Sequence, residues 1–147
     1  MSENDKLIYL ISKAQHLMWN YLKNELKKQN VILTPPQTTI LFSLMKYGPQ
    51  SMNALSQLLS IKNSTTTGLV DRLEKNRLVR RNNVSNDPRK WEIAITKEGI
   101  KEIKKAQIVV NAVNDAIKKG CTKQEIEAMK KVLILFYSKF GEFDESC

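Results

Sequence analysis

The chain has 147 residues, 41% of them apolar, and its 24 Lys and Arg exceed its 15 Asp and Glu to give a net charge of +9. This length suits one domain whose core needs no metal or disulfide support, and the longest apolar run, Val132–Tyr137, is too short to span a bilayer. The two cysteines, Cys121 and Cys147, form no CxxC pair, which excludes a disulfide scaffold and a zinc ribbon.

The first predicted element is an N-terminal helix. Apolar residues recur at spacings of three and four from Leu7 through Leu10, Ala14 and Leu17 to Tyr21. This period is typical of an amphipathic helix, here about 25 residues long.

Three shorter helices are predicted next. Thr34-Pro35-Pro36 starts the second helix and Gly48-Pro49 ends it, because proline suits a first helical turn and not an interior one. Ser51 is the predicted cap of a short third helix. Asn63 or Ser64 is the predicted cap of a fourth.

A β-hairpin and two long helices complete the chain. Leu78–Val84 and Trp91–Ile95 predict two strands, and Ser85–Pro88 predicts the turn between them. After Thr96 the 3-4 spacing of apolar residues returns. A break at Gly120 separates the two helices, and Thr122 with Glu125 predicts a capping box at the start of the last one.

This order predicts a mainly α fold with a small β-hairpin, a winged helix-turn-helix between long dimerisation helices. We expect an N-terminal dimerisation helix in residues 1–33, the DNA-binding domain in 34–99 and C-terminal dimerisation helices in 100–147. The apolar stripes of the two ends exceed what so small a domain needs, so they close on each other or on a second copy. Gln107 and Asn114, polar within the stripe, are expected to fix the register of a dimer.

Positive charge is concentrated in the middle of the chain. Eight basic residues lie between Lys62 and Lys90, against three acidic ones. Such a cluster attracts polyanions such as nucleic acid, although a solvated basic surface explains the same composition.

The motifs and their order resemble the MarR family of winged-helix transcription regulators. The residues that carry the resemblance are Thr34–Gln37 with Leu41 and Leu44, Ser51 with Ala54, Leu55 and Leu58, Ser64–Glu74, Leu78–Arg81, Asp87–Arg89, and Ile93–Gly99. It implies an intertwined homodimer that binds palindromic operator DNA, usually as a repressor released by a ligand or by oxidation. One departure is Arg77, where the family commonly has glycine. We expect the preceding Asn76 to adopt the left-handed conformation instead.

The fourth helix is the predicted recognition helix, because the second helix of such a motif enters the major groove. Its predicted DNA-binding residues are Asn63, Ser64, Thr65, Thr66, Thr67 and Arg72. Short hydroxyl and amide groups reach base edges and phosphates. Two alternatives to DNA contact stay open. One of the threonines faces the core, or Arg72 forms an ion pair with Glu74 or Asp71.

The hairpin tip is the predicted wing. The resemblance places Arg89 in the minor groove with Asp87 bracing it and Lys90 beside it, and narrow A·T tracts attract such cations. Lys62, Arg80 and Arg81 are predicted phosphate contacts, which position a protein without reading sequence.

The resemblance also implies an effector pocket for a small aromatic acid near the junction of the dimerisation and DNA-binding regions. His16, Met18 and Trp19 are candidates for it, although an aromatic residue at helical spacing is more often part of a core. Cysteine-based redox sensing is an alternative within the same family. However, the reactive cysteine of such relatives lies near the N-terminal helix, where this chain has none.

The sequence thus predicts a sequence-specific DNA-binding regulator, a homodimeric repressor of a palindromic operator. The alternative from another class is a winged helix used as a protein-interaction module. An enzyme is not expected, because the sequence offers no paired carboxylates, no nucleophile with a base and no phosphate-binding glycine loop. No cofactor, metal or membrane partner is expected. The polar N-terminus lacks a secretory signal, which favours a cytoplasmic protein.

Overall fold

The structure, a computed structural model, describes residues 6–83, 87 and 90–141. The elements of these residues are α1 (Leu7–Lys28), α2 (Pro35–Tyr47), β1 (Gln50–Ser51), α3 (Met52–Leu59), α4 (Asn63–Lys75), β2 (Val79–Asn83), β3 (Trp91–Ile95), α5 (Lys97–Lys118) and α6 (Lys123–Phe140). The predicted order of helices and hairpin is confirmed. In this part of the chain no helix is both long and apolar enough to cross a membrane.

Two of the predicted helix caps are confirmed. The Ser51 hydroxyl accepts a hydrogen bond of 3.1 Å from the backbone N–H of Ala54 at the start of α3. At the start of α6, Thr122 Oγ1 accepts from the N–H of Glu125, and Glu125 Oε2 accepts from the N–H of Thr122. These reciprocal bonds satisfy donors that a helix N-terminus otherwise leaves free.

The sheet has one more strand than the sequence predicted. It is antiparallel with the order β1-β3-β2, and Gln50 of β1 pairs with Ile93 of β3. β1 has two residues, too few to show an alternating pattern, and its second residue also caps α3. β2 begins at Val79 and pairs with β3 over five residues, which forms the base of the predicted wing.

The core lies between α2, the sheet and parts of all the helices up to α5. Ile40, Leu41 and Leu44 of α2 are fully buried there. Leu26 of α1 and Ile103 of α5 belong to the same cluster. The apolar stripe predicted for α5 therefore packs partly within the protomer.

The connection after α4 differs from the prediction. Asn76 has a φ of −84°, whereas Arg77 itself is left-handed, with a φ of 61°. The N–H of Arg77 bonds to the carbonyl of Glu74, and the N–H of Leu78 bonds to that of Leu73. This is a Schellman motif, which requires its left-handed residue one position after the helix cap. Arginine occupies that position here and carries its conformational cost.

Candidate nucleic-acid interface

The fourth helix has one buried face and one exposed face. Thr66, Val70 and Leu73 are buried and face the interior of the domain. They are four and three positions apart, and such positions lie on the same side of a helix. The exposed face, here called the α4 outer face, consists of Ser64, Thr65, Gly68, Asp71, Arg72 and Lys75. It presents hydroxyl groups at its N-terminal end and cations at its C-terminal end.

The α4 helix begins at Asn63, one or two residues earlier than predicted. Lys62 is the N-cap, with extended backbone, and its carbonyl accepts from the N–H groups of Thr65 and Thr66. Asn63 is therefore not the cap, and neither is Ser64. The Asn63 side chain instead donates a 2.8 Å hydrogen bond to Asn53 Oδ1 of α3, which ties the exposed starts of the two helices together.

The prediction that Thr66 contacts DNA is wrong. Its side chain is fully buried, donates to the Lys62 carbonyl and accepts a 2.8 Å hydrogen bond from the Ser56 hydroxyl of α3. Thr65, directly before it, is exposed. Thr67 is half-buried and its hydroxyl donates to the Asn63 carbonyl within the same helix. Of the three threonines, Thr65 is thus the exposed one.

Arg81 of β2, and not Arg72, pairs with the acidic residues of α4. Its guanidinium contacts the carboxylate of Asp71 and lies 3.5 Å from that of Glu74. Arg72 is exposed and makes no ion pair with any described residue. Arg81 therefore joins the wing to α4. It also neutralises Asp71, the acidic residue of the α4 outer face, so the remaining charged side chains of that face are Arg72 and Lys75.

The wing is described in part. Arg80 lies exposed on β2, and Lys90 is exposed where the chain enters β3. The N–H of Lys90 donates to the carbonyl of Asp87, whose side chain is half-buried. Arg89 lies outside the described residues, so its predicted role stays a prediction. Lys62 is exposed at the N-terminal end of α4.

Sequence reasoning missed two members of the α4 outer face, Gly68 and Lys75. The sequence contains the pattern that predicts them. Gly68 and Lys75 lie three or four positions from Ser64, Thr65 or Arg72, so they share a helix face with these residues and lie opposite the apolar Val70 and Leu73. The exposed cations in and around α4 and the described part of the wing are Lys62, Arg72, Lys75, Arg77, Arg80 and Lys90.

A cavity of about 300 Å³ lies between α2 and α5. Its lining combines apolar groups with uncharged hydrogen-bonding ones, from Thr38, Thr39, Phe42, Ile103, Gln107, Val110, Asn111 and Asn114. Gln107 and Asn114, predicted at a dimer seam, thus line a cavity of the protomer.

The predicted effector residues are not part of this cavity. Met18 and Trp19 lie on α1 with about two-fifths of their surface exposed. His16 is exposed on the same helix, and Asn20 Nδ2 lies 3.1 Å from its Nε2. The structure therefore does not bring His16, Met18 and Trp19 together with the α2–α5 cavity.

Apolar side chains are exposed along both terminal helices. In α1, Leu7, Ile8 and Leu17 are more than half exposed, and Ile134 and Phe140 are so in α6. In each helix a single residue is buried. Exposed apolar areas of this size mark interaction surfaces.

A charged pair lies away from α4, in the last turns of α1. The hydrogen bond from Lys28 to Glu25, 2.9 Å long, raises the pKa of Lys28 in the last turn of α1. Lys28 is charged at neutral pH in any case, and it is exposed, so this pair has no role in the interface.

Comparisons with known proteins agree with this geometry. The sequence profile of the MarR family matches residues 33–91. The chain is 29% identical over 103 residues to the HTH-type transcriptional repressor MdtR of Bacillus subtilis (strain 168), an alignment that spans 67% of this chain and 65% of that repressor.

Solved structures share the fold over nearly the whole chain. MepR of S. aureus, solved as a DNA complex, has a TM-score of 0.81 and 22% identity, with coverage of 91% of this chain and 97% of MepR. CouR from Rhodococcus jostii RHA1, solved with p-coumaroyl-CoA, has a TM-score of 0.81 and 21% identity, with 99% of each chain covered. The chain is thus similar to MarR-family transcriptional regulators, in sequence over residues 33–91 and in fold over nearly its whole length.

Proposed function

We propose that this protein represses transcription as a homodimer that binds a palindromic operator, with α4 in the major groove of each half-site. The observation that carries the proposal is the α4 outer face. It is exposed over the length of the helix and combines the Thr65 hydroxyl, a base-reading group, with the cations Arg72 and Lys75.

The electrostatics of the domain support a DNA partner over a protein partner. Asp71 is the one acidic side chain of the α4 outer face, and Arg81 pairs with it. Arg81 also lies 3.5 Å from the Glu74 carboxylate, so among the described residues this one arginine contacts both acidic side chains of α4 and leaves Arg72 and Lys75 to act on a partner. Phosphates satisfy such cations and release counterions, which drives association with DNA.

The exposed apolar faces of α1 and α6 support a dimer. Two copies that cover these faces bury apolar area that the protomer leaves in water. A two-fold dimer places two copies of α4 on one face, and a symmetric protein of this kind matches a symmetric site. Residues 1–33 and 100–147 then serve dimerisation, and 34–99 serve DNA binding, although Leu26 and Ile103 extend the DNA-binding core into both flanks.

The α2–α5 cavity supports release by a small molecule. It adjoins α2 of the DNA-binding domain and α5 of the dimerisation region, so a bound ligand changes the packing between them. Phe42 offers an aromatic contact, and Gln107 and Asn114 offer hydrogen bonds to a small aromatic effector.

The proposed function is tested by selection from random duplexes of about 30 base pairs, three turns of DNA. The expected product is an inverted repeat whose half-sites are centred about 10 base pairs, or a multiple of this, apart. Its affinity should fall steeply as salt rises. If no sequence is enriched above the starting pool, or if binding is insensitive to salt, the protein is not an operator-binding regulator.

A further inference from the structure

The middle of the α4 outer face lacks a side chain. Gly68 lies there, one turn after Ser64 and Thr65 and one turn before Arg72. Glycine disfavours a helix relative to alanine, because it loses more backbone entropy on folding. A glycine inside a helix therefore calls for a reason in packing, in backbone conformation or in binding.

Neither packing nor backbone conformation within the protomer requires this glycine. A Cβ added at Gly68 meets no heavy atom within 4 Å, and the residue has ordinary helical backbone with no positive φ. Gly99 shows the contrast: a Cβ there would lie 2.1 Å from the carbonyl oxygen of Leu78. The fold explains Gly99 and leaves Gly68 unexplained.

The proposed binding mode supplies the reason. An α-helix with its side chains is about 10–12 Å wide, close to the width of about 12 Å of the major groove. The helix can move closer to the groove floor where a side chain on its inner surface is missing. Thr65 has a short side chain, so it reaches a base edge only if the α4 backbone lies close to the DNA.

We propose that Gly68 is a specificity-determining residue through which the backbone of α4 makes close contact with operator DNA. This inference rests on the proposed function. The missing Cβ lets the helix lie deep enough for the Thr65 hydroxyl to meet base edges while Arg72, one turn further, contacts the duplex. A side chain at position 68 lifts the helix and withdraws both groups.

The test compares Gly68→Ala and Gly68→Leu with the wild-type protein. The probes are the duplex that the wild-type protein selects from the random pool and a scrambled duplex of equal composition. Gly68→Ala should raise the Tm by about 3 °C, because alanine is the better helix former. Its affinity for the selected duplex should fall about tenfold, and that of Gly68→Leu should fall further. Affinity for the scrambled duplex, which depends on phosphate contacts, should change less than about twofold.

Ser12→Ala on α1 is the matched control. Like Gly68→Ala it raises helix propensity without changing charge, and Ser12 is exposed on the polar side of a helix remote in sequence from α4. Its affinity for both duplexes should equal that of the wild-type protein. A weakened control would show that stabilisation alone weakens binding, which overturns the inference.

The remaining outcomes separate this inference from the proposed function. If the wild-type protein selects a duplex and both Gly68 variants bind it equally well, the inference is wrong and the proposed function stands. If Gly68→Ala lowers the Tm, the glycine serves the fold or the dimer and the inference is also wrong. If the wild-type protein selects no sequence, the proposed function fails and the inference fails with it.

Discussion

Thr65 and Thr66 are adjacent in sequence and have opposite environments. Thr65 is exposed on the α4 outer face, whereas the Thr66 hydroxyl is buried between Ser56 and the Lys62 carbonyl. Successive helical positions are about 100° apart, so neighbours serve different surfaces. The pair therefore separates an effect on DNA reading from an effect on stability.

We predict that Thr65→Ala lowers the discrimination between selected and scrambled DNA by about 1–3 kcal/mol, the value of a lost base contact, with unchanged unfolding. Thr66→Ala should instead lower the free energy of unfolding by about 1–3 kcal/mol, because it leaves the buried Ser56 hydroxyl without this partner. Urea unfolding and competition binding measure the two quantities. If the effects of the two substitutions are exchanged, the orientation given for α4 is wrong.

Arg77 carries a backbone cost at the end of α4. Its φ of 61° is in the left-handed region, which disfavours a residue with a Cβ by about 1–2 kcal/mol. We predict that Arg77→Gly raises the free energy of unfolding by about 1 kcal/mol. Asn76→Gly is the matched control, because Asn76 has a negative φ and gains nothing from glycine. Equal effects of the two substitutions in thermal unfolding would contradict the Schellman geometry.

The candidate site was predictable at some residues and not at others. Thr66 lies four residues before Val70 and seven before Leu73, so helical periodicity alone was enough to assign it to the core. The left-handed Arg77 was harder to predict, because Asn adopts this conformation more readily and lies directly before it. The hydrogen bonds of the Schellman motif determine which residue is left-handed, and the intrinsic preference of Asn for that conformation does not.

At the scale of elements, Arg81 links β2 to α4. The pairing joins residues ten positions apart in sequence on elements of different type, so no periodic pattern shows it. The sequence predicted a phosphate contact for Arg81 and left open whether Arg72 contacts DNA or pairs with Asp71 or Glu74. The secondary-structure elements were predicted better than this side-chain pairing, because the helices and the hairpin have clear hydrophobic periodicity and clear capping or turn residues. β1 was missed since two residues contain no period.

We predict a measurable but small coupling between Arg81 and Asp71. In a double-mutant cycle with Arg81→Ala and Asp71→Ala, the coupling in the free energy of unfolding should be about 0.2–1 kcal/mol, as for exposed ion pairs. It should decrease as salt is raised. Arg80→Ala with Asp71→Ala is the control cycle and should show less coupling, since neighbouring residues of a strand point to opposite faces and the structure pairs Asp71 with Arg81. Equal coupling in both cycles would remove Arg81 as the link between wing and helix.

At the scale of the whole molecule, the protomer shows two unlike surfaces. The α4 outer face and the wing are polar and basic, whereas α1 and α6 expose apolar side chains. Ile103, Ala106 and Val109 of α5 pack in the same core cluster as residues of α1, α2 and α4. The Glu102 carboxylate of α5 also accepts from the N–H of Ile32, and Lys105 donates to the carbonyl of Asn30. These bonds tie the connection between α1 and α2 to α5.

The last prediction tests the dimer with two adjacent residues of α1. Ile11 belongs to its apolar stripe and Ser12 to its polar side, and both are exposed in the protomer. Ile11→Asp places a carboxylate in the proposed interface twice, once from each copy, and an unpaired buried charge is costly. Ser12→Asp adds the same charge outside the interface. We expect light scattering at micromolar concentration to give twice the chain mass of 16.9 kDa for the wild-type protein and for Ser12→Asp, and a shift toward 16.9 kDa for Ile11→Asp. The monomeric variant should also bind a duplex with two half-sites no more tightly than a duplex with one, because a single α4 reads a single half-site. A dimer of undiminished stability in Ile11→Asp would mean that α1 does not form the interface.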